Sequence, residues 1–230
     1  MQKKKNKGKL IVFDGLDGSG KATQTKLLVQ KLKKKGYRVA ITDFPQYYSS
    51  FFGKMVGRYL TGEFGKANQV SPYLASILYA LDRFEAKEKM EKWLNEGRII
   101  VSNRYVSANQ IHQTAKIKGK KAKGEFLKWL SKMEFQIFGI PKPDLILFLN
   151  IPYRIGQGLV IKKGSRGYLG GVRRDIHESS KSHLSAAQEQ VFDLVKKYSK
   201  WKRIDCVKRG DLLSKKEVAD FVWQQTEKIL

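Results

Sequence analysis

Residues 10–23 read LIVFDGLDGSGKAT and are the most informative part of the sequence about its fold. The apolar run Leu10–Asp14 has the composition of a short buried strand, and a glycine-rich turn follows it directly. Residues 15–22, GLDGSGKA, match the phosphate-binding pattern G-x-x-x-x-G-K-[S/T] at every defined position except the last. Such a loop points backbone N–H groups at phosphate oxygens, and the helix that follows adds partial positive charge. The stretch therefore predicts a site for nucleotide phosphates.

The last position of the pattern is Ala22, where a serine or threonine usually offers a hydroxyl to Mg²⁺. Thr23 comes one position later, and an ideal helix rotates it about 100° away, so it cannot simply take over. Lys21 is expected to bridge the β- and γ-phosphates of ATP. The residues predicted to bind ATP are Gly15, Leu16, Asp17, Gly18, Ser19, Gly20, Lys21, Ala22 and Thr23.

Further strands and helices alternate along the chain, and the central strands are apolar on both faces. This pattern is typical of a parallel sheet covered by helices on both sides. We therefore predict an α/β protein with a three-layer P-loop NTPase fold, a central parallel five-stranded sheet and a single domain over residues 1–230. The other predicted strands are Tyr37–Asp43, Arg98–Ser102, Leu145–Leu149 and Trp201–Val207. The predicted helices after the first are Phe51–Leu60, Tyr73–Leu94, Val106–Ile117, Phe126–Phe138, Ala186–Tyr198 and Lys215–Leu230, with a basic loop at Lys118–Gly124.

The chain of 230 residues is 41% hydrophobic and carries a formal net charge of +25. Its first apolar run is shorter than the roughly 7–15 residues of a signal peptide or the about 20 of a membrane span. The single cysteine, Cys206, forms no intrachain disulfide, so a cytoplasmic location is expected and a membrane partner is not. The charge permits a nucleic-acid partner, but no recognition helix, zinc spacing or RNA-binding aromatic signature accompanies it, and nucleic acid is not expected.

Four segments, in order, resemble the successive motifs of thymidylate kinases, and the resemblance spans nearly the whole chain. They are FDGLDGSGKATQTKLL (13–28), DFPQYYSSFFGKMVGRYLTGEFG (43–65), LYALDRFEAK (78–87) and SNRYVSANQIHQTAK (102–116). The resemblance implies a P-loop nucleoside monophosphate kinase that phosphorylates dTMP to dTDP with ATP and Mg²⁺. It also implies a homodimer, with the helices around Tyr73–Leu94 and Phe126–Phe138 as candidate interfaces.

The same resemblance assigns an acceptor site. Tyr79 would stack on thymine and Arg83 would hydrogen-bond a base carbonyl, and their spacing of four puts both on one helix face. Arg104 would bind the acceptor phosphate, for which a guanidinium fork is well suited. His112 would either exclude ribose by its size or fill space. The full set predicted to bind dTMP is Asp14, Phe44, Pro45, Tyr47, Tyr79, Arg83, Arg104, Asn109, His112 and Gln113. For Asp82, an ion pair on the helix surface is the alternative to a role in the site.

Asn103 is a second departure, because the family has an aspartate there that helps to hold Mg²⁺. With Ala22, two customary groups on the metal side are missing. We therefore expect the ion to rely on Asp14, Asp17 and ATP, since Mg²⁺ often needs only one or two protein carboxylates.

Residues 156–182 are rich in glycine and in basic residues and look like the mobile lid of the family. Closing a cationic lid neutralises charge during phosphoryl transfer and excludes water. Arg173 and Arg174 fit this role best, and the catalytic set is thus Asp17, Lys21, Arg104, Arg173 and Arg174. Two alternatives stay open: a kinase of another (deoxy)nucleoside monophosphate, and a P-loop protein that binds nucleotide or nucleic acid without turnover.

Overall fold

A computed structural model of the chain describes residues 7–66, 69–152, 155–156, 158–159 and 181–230. At its centre, five parallel strands form one sheet in the order β2-β3-β1-β4-β5. They are β1 (Lys9–Asp14), β2 (Val39–Asp43), β3 (Ile99–Asn103), β4 (Leu145–Asn150) and β5 (Trp201–Asp205). The central strand β1 is inaccessible to solvent from Leu10 to Asp14, which explains why its sequence is apolar on both faces.

Helices cover both faces of the sheet. They include α1 (Lys21–Lys34), α2 (Phe51–Leu60), α3 (Pro72–Glu85), α4 (Lys87–Asn95), α5 (Val106–His112), α6 (Lys120–Lys132), α7 (Lys181–Lys197) and α8 (Lys215–Thr226). Helices α1 and α8 contribute to the core on one face, and α4 to α7 contribute to the core on the other. A third, smaller core lies between α2 and α3. The predicted three-layer arrangement is confirmed.

Shorter elements complete the described chain. Helical turns of the 3₁₀ type follow α5 at Thr114–Lys116 and α8 at Glu227–Ile229, and a π-helical turn follows α6 at Met133–Ile137. A hairpin of β6 (Val207–Lys208) and β7 (Asp211–Leu212) follows β5.

Two predicted elements were wrong. Residues 73–94 form two helices, α3 and α4, which meet at Ala86, instead of one. The break carries no proline or glycine, so the sequence offered no local signal for it. The basic segment Lys118–Gly124 is a loop only as far as Gly119, because α6 begins at Lys120.

Most of the predicted lid, residues 156–182, lies outside the described residues, and the extent of the domain stays a prediction.

Candidate active site

The glycine-rich loop lies between the carboxyl end of β1 and the start of α1, in the centre of the sheet. Its backbone needs glycine for two physical reasons, positive φ angles and close packing. A Cβ on Gly15, whose φ is 151°, would stand 2.5 Å from Ser19 Oγ and 2.8 Å from the carbonyl oxygen of Leu149. A Cβ on Gly18, whose φ is 82°, would stand 2.2 Å from the carbonyl oxygen of Gly156. The loop therefore adopts a backbone path that an ordinary residue would block.

Lys21 is the first residue of α1, and its side chain folds back over the loop. Its Nζ donates to the carbonyl oxygens of Gly15, at 2.7 Å, and Leu16, at 3.1 Å, and lies 3.6 Å from an Asp17 carboxylate oxygen. The side chain is only 8% exposed. This contact set keeps the ammonium at the loop, where the phosphate-binding pattern requires it.

Asp14 is buried, and its two carboxylate oxygens are used within the protein. One accepts from the Gly15 N–H at 2.8 Å and the other from the Ser107 hydroxyl at 2.6 Å. Burial raises the pKa of the Asp14 carboxyl, whereas the charges of Arg104 and Lys21 and these hydrogen bonds lower it. The role of Asp14 as a ligand of substrate or metal stays a prediction. Its two hydrogen bonds connect Gly15 of the loop to Ser107 of α5.

Arg104 follows β3 directly and has a left-handed backbone conformation, with a φ of 62°. This conformation is uncommon for a residue with a side chain and marks a constrained position. Two hydrogen bonds hold it: the Arg104 N–H donates to Phe13 O at 2.8 Å, and Ser102 Oγ donates to Arg104 O at 2.6 Å. The guanidinium then reaches Asp17 of the loop, with an N–O distance of 2.7 Å. Arg104 thus stands between the phosphate-binding loop and the adjoining pocket.

One pocket beside this loop brings together nine of the ten residues predicted to bind the acceptor; Asp14 does not line it. The nine are Phe44, Pro45, Tyr47, Tyr79, Arg83, Arg104, Asn109, His112 and Gln113. They come from four separate parts of the chain: the segment after β2, α3, the end of β3 and α5. Leu16 and Asp17 also line the pocket, so that it opens onto the glycine-rich loop. The sequence analysis missed the further lining residues Leu60, Tyr105, Ala108 and Leu184.

Arg83 lies in the wall of this pocket and is 1% exposed. Its Nε donates to Glu134 Oε2 at 3.0 Å, a second guanidinium nitrogen pairs with Glu134 Oε1, and the third lies 3.4 Å from Tyr105 O. Glu134 belongs to the π-helical turn after α6 and is inaccessible to solvent. Burial raises the pKa of Glu134, and the charge and hydrogen bonds of Arg83 lower it. Such turns occur often at functional sites, and this one brings a carboxylate to a pocket arginine.

Asp82 is buried, so the alternative of an ion pair on the helix surface is wrong. Its carboxylate accepts from Ser50 Oγ at 2.5 Å and from the Gln46 N–H at 3.1 Å. These contacts join α3 to the segment that carries Phe44 and Pro45. Asp82 thereby holds one wall of the pocket against another.

The carboxylate and amide oxygens near the loop show whether the residues present suit the predicted Mg²⁺. Asp17 lies beside Lys21 and Arg104, and Asp43 lies next to Asn103 at the ends of β2 and β3. Partial removal from water raises the pKa of Asp43, while the Asn103 hydrogen bond and the charges of Arg104 and Lys21 lower it. Among the described residues no three acidic, histidine or cysteine side chains form a metal-binding group. This donor set fits an ion held mainly by phosphates and water, with one or two carboxylates, as Mg²⁺ is often held.

Comparison with known proteins identifies the chain's relatives. A family model described as thymidylate kinase matches residues 13–215. A probable thymidylate kinase of Thermococcus onnurineus is 36% identical over 151 residues, which cover 63% of this chain and 67% of that protein. The thymidylate kinase of Schizosaccharomyces pombe is 32% identical over 152 residues, or 66% of this chain and 65% of that protein. The chain belongs to the thymidylate kinase family.

The fold agrees with this assignment. The structure of thymidylate kinase from Candida albicans matches with a TM-score of 0.73 and 24% sequence identity, covering 96% of this chain and 92% of that one. The predictions of the family, of a dTMP kinase as the enzyme and of ATP as the phosphate donor are confirmed. The individual roles of the site residues stay predictions. The predicted catalytic residues Arg173 and Arg174 lie outside the described residues. No helix in the described ranges combines the length and the apolar character that crossing a membrane requires.

Proposed function

We propose that the protein transfers the γ-phosphoryl group of ATP to the phosphate of dTMP where the glycine-rich loop meets the pocket that holds nine of the residues predicted to bind dTMP. An oxygen of the dTMP phosphate attacks the γ-phosphorus, the bond to the β,γ-bridging oxygen breaks, and ADP and dTDP leave. The observation that carries the proposal is the pocket itself, because residues assigned to dTMP by resemblance line one cavity beside the loop assigned to ATP.

On the donor side, the loop backbone and Lys21 bind the ATP phosphates. Phosphoryl transfer needs positioning and charge neutralisation more than covalent help from the protein. The Lys21 ammonium, already held against the loop by two carbonyl oxygens, supplies positive charge near the γ-phosphate. Arg173 and Arg174 are proposed to add charge from the lid.

On the acceptor side, Arg104 binds the dTMP phosphate and Tyr79, Arg83 and Asn109 contact the base. The Asp17 carboxylate holds the Arg104 guanidinium next to the loop, and an incoming phosphate competes for that guanidinium. Gln113 also contacts the base, and His112 lies near the sugar. The buried ion pair with Glu134 fixes the plane of the Arg83 guanidinium, so that only a small part of this group is left to contact the substrate.

When bound, Mg²⁺ would neutralise negative charge on the nucleotide phosphates. Asp17 is the loop carboxylate proposed to hold it, because it lies at the loop and is 23% exposed, whereas both Asp14 oxygens accept hydrogen bonds within the protein.

The proposed assembly is a homodimer in the cytoplasm. Leu74, Ile77, Leu81 and Phe84 follow one another at helical spacing on α3. Leu74 is 62% and Phe84 45% exposed, whereas Ile77 also packs against the core. A partly exposed apolar stripe on a helix is typical of an interaction surface. The buried free thiol of Cys206 agrees with a reducing compartment.

The direct test is ADP production from Mg·ATP with dTMP, dUMP, dGMP, dCMP, AMP and thymidine supplied separately. We expect ADP release with dTMP to exceed that with any other acceptor. Greater release with another monophosphate would keep the mechanism and change the assignments of the base-contacting residues. ATP binding without release for any acceptor would contradict the proposed reaction and favour a non-catalytic nucleotide-binding protein.

A further inference from the structure

Asp43 and Asn103 form a carboxylate–amide pair at the carboxyl ends of β2 and β3. They are directly opposite in the strand register, and Asn103 Nδ2 donates to Asp43 Oδ1 at 2.9 Å. An ionised carboxylate only accepts hydrogen bonds, so the amide nitrogen must face Asp43 and the amide oxygen must face away. That oxygen, Asn103 Oδ1, is enclosed by protein, and no donor among the described residues reaches it. Enclosed acceptors of this kind usually have a partner.

The pair lies next to the groups that bind phosphates. Strand β3 separates β2 from β1, and β1 leads directly into the glycine-rich loop. Arg104 follows Asn103 in the chain, and the charges of Arg104 and Lys21 both act on the Asp43 carboxylate. Asp43 is therefore a carboxylate within electrostatic reach of the predicted phosphate-binding cations.

The same chain contains a second pair of this type, which makes the first one informative. Asn150 and Asp205 are opposite each other at the ends of β4 and β5, on the other side of β1, and Asn150 Nδ2 donates to Asp205 Oδ1 at 2.6 Å. There, Gln188 Nε2 donates to Asn150 Oδ1 at 3.4 Å, and Arg203 donates to the free Asp205 oxygen at 3.0 Å. The second pair is satisfied within the protein, whereas the amide oxygen of the first has no donor in the part of the chain that the structure describes.

We propose that Asp43 is a second carboxylate on the metal side of the phosphate site, in addition to Asp17, that its exposed carboxylate accepts hydrogen bonds from water ligands of nucleotide-bound Mg²⁺, and that Asn103 is its positioning partner. Mg²⁺ retains several waters, and these need acceptors. The carboxylate is thus supplied by β2 in place of the aspartate missing from the end of β3. This inference rests on the proposed function, since it assigns a residue to the metal of that reaction.

The test is binding of Mn²⁺, measured by electron paramagnetic resonance in the presence of dTMP and a non-hydrolysable ATP analogue. Removing a residue that contacts metal ligands typically costs 10–100-fold in metal affinity. We expect Asp43→Asn to weaken Mn²⁺ binding by about 10-fold. The exchange Asp43→Asn/Asn103→Asp should restore wild-type affinity, because it keeps one carboxylate, one amide and the bond between them. The matched control Asp205→Asn should bind Mn²⁺ as the wild type does.

Equal Mn²⁺ affinity of Asp43→Asn and the wild type would overturn the proposal. So would an exchange variant that folds but does not recover affinity, or an equal loss in Asp205→Asn, because the effect would then come from the strand ends and not from the metal. Thermal unfolding identifies a variant that fails to fold, and Asp43→Ser then replaces Asp43→Asn. Because the nucleotide analogue does not turn over, the Mn²⁺ titration decides the role of Asp43 independently of whether the wild type phosphorylates dTMP.

Discussion

Arg83, which we propose binds the substrate, is also a structural residue. Its guanidinium is 1% exposed and pairs with Glu134, which is inaccessible to solvent, so both charges lie inside the protein. A buried ion pair stabilises a fold only when its geometry and hydrogen bonding are good. Removal of one partner leaves an uncompensated buried charge. The pocket wall therefore depends on Glu134, although Glu134 is not among the residues that line the pocket.

We predict that Glu134→Gln lowers the free energy of unfolding by about 3 kcal/mol, the low end for breaking a buried pair. The KM for dTMP should rise about tenfold, equivalent to about 1.4 kcal/mol, because the guanidinium loses its fixed plane. Chemical denaturation and steady-state kinetics measure the two effects. A variant with unchanged stability and unchanged KM would contradict the prediction.

A second variant separates the structural role of Arg83 from its role in binding. Arg83→Met/Glu134→Leu replaces both charges with apolar groups, a change that is often neutral for stability. We expect stability to return toward that of the wild type while the KM for dTMP stays high. If the KM also returned, Arg83 would be a structural residue alone.

Among the helices, α3 holds the start of α2 and the segment between β2 and α2 in place through its side chains. Ser50 caps α2 by accepting from the Gly53 N–H at 2.7 Å, and it donates to Asp82 of α3. Glu85, one turn further along α3, accepts from the N–H groups of Phe51 and Phe52. Two carboxylates of α3 thus satisfy the start of α2, where negative charge is favourable.

We predict that Ser50→Ala destabilises the protein by about 1 kcal/mol, the usual cost of a lost N-cap, and raises the KM for dTMP. The reason is that Asp82 then holds the Phe44–Pro45 segment through Gln46 alone. Ser214→Ala is the matched control, because Ser214 caps α8 by accepting from the Glu217 N–H. Thermal unfolding should show similar losses for both variants, and kinetics should show a raised KM for Ser50→Ala only. Equal KM values would mean that the cap does not position the acceptor wall.

The elements that were predictable carry local signals. The strand at Leu10–Asp14 has a continuous apolar run and the loop after it has glycines at fixed spacing, so a short window of sequence identifies both. The break at Ala86 and the π-helical turn at Met133–Ile137 have no such marker. Their positions follow from packing, which a sequence window does not contain.

The contacts of the site were less predictable than its residues. Resemblance located nine pocket residues, but the bond of Asp82 to Gln46 spans 36 positions and that of Arg83 to Glu134 spans 51. Asp43 was not predicted to act at the site, because its relevance appears only when β2 and β3 align it with Asn103. Long-range contacts of this kind depend on the tertiary structure and on no motif.

For the whole molecule, helix α3 has two faces with different tasks. Tyr79 and Arg83 line the acceptor pocket, whereas Leu74 and Phe84 are exposed by 62% and 45% on the stripe that we assign to the dimer. A partner packed on that stripe would restrict the movement of the helix that carries the pocket residues. Assembly and acceptor binding are therefore expected to be linked.

We predict that Leu74→Glu converts the proposed dimer to a monomer and raises the KM for dTMP, because a charge in an apolar interface is desolvated without a partner. Leu212→Glu is the matched control, since Leu212 is also an exposed leucine, at 49%, but lies on the β6–β7 hairpin. Light scattering coupled to size-exclusion chromatography gives the mass of each variant. A monomeric wild type, or a Leu74→Glu variant that remains dimeric, would contradict the assignment of this stripe. A monomeric Leu74→Glu variant with an unchanged KM would keep the interface and show that acceptor binding is independent of assembly.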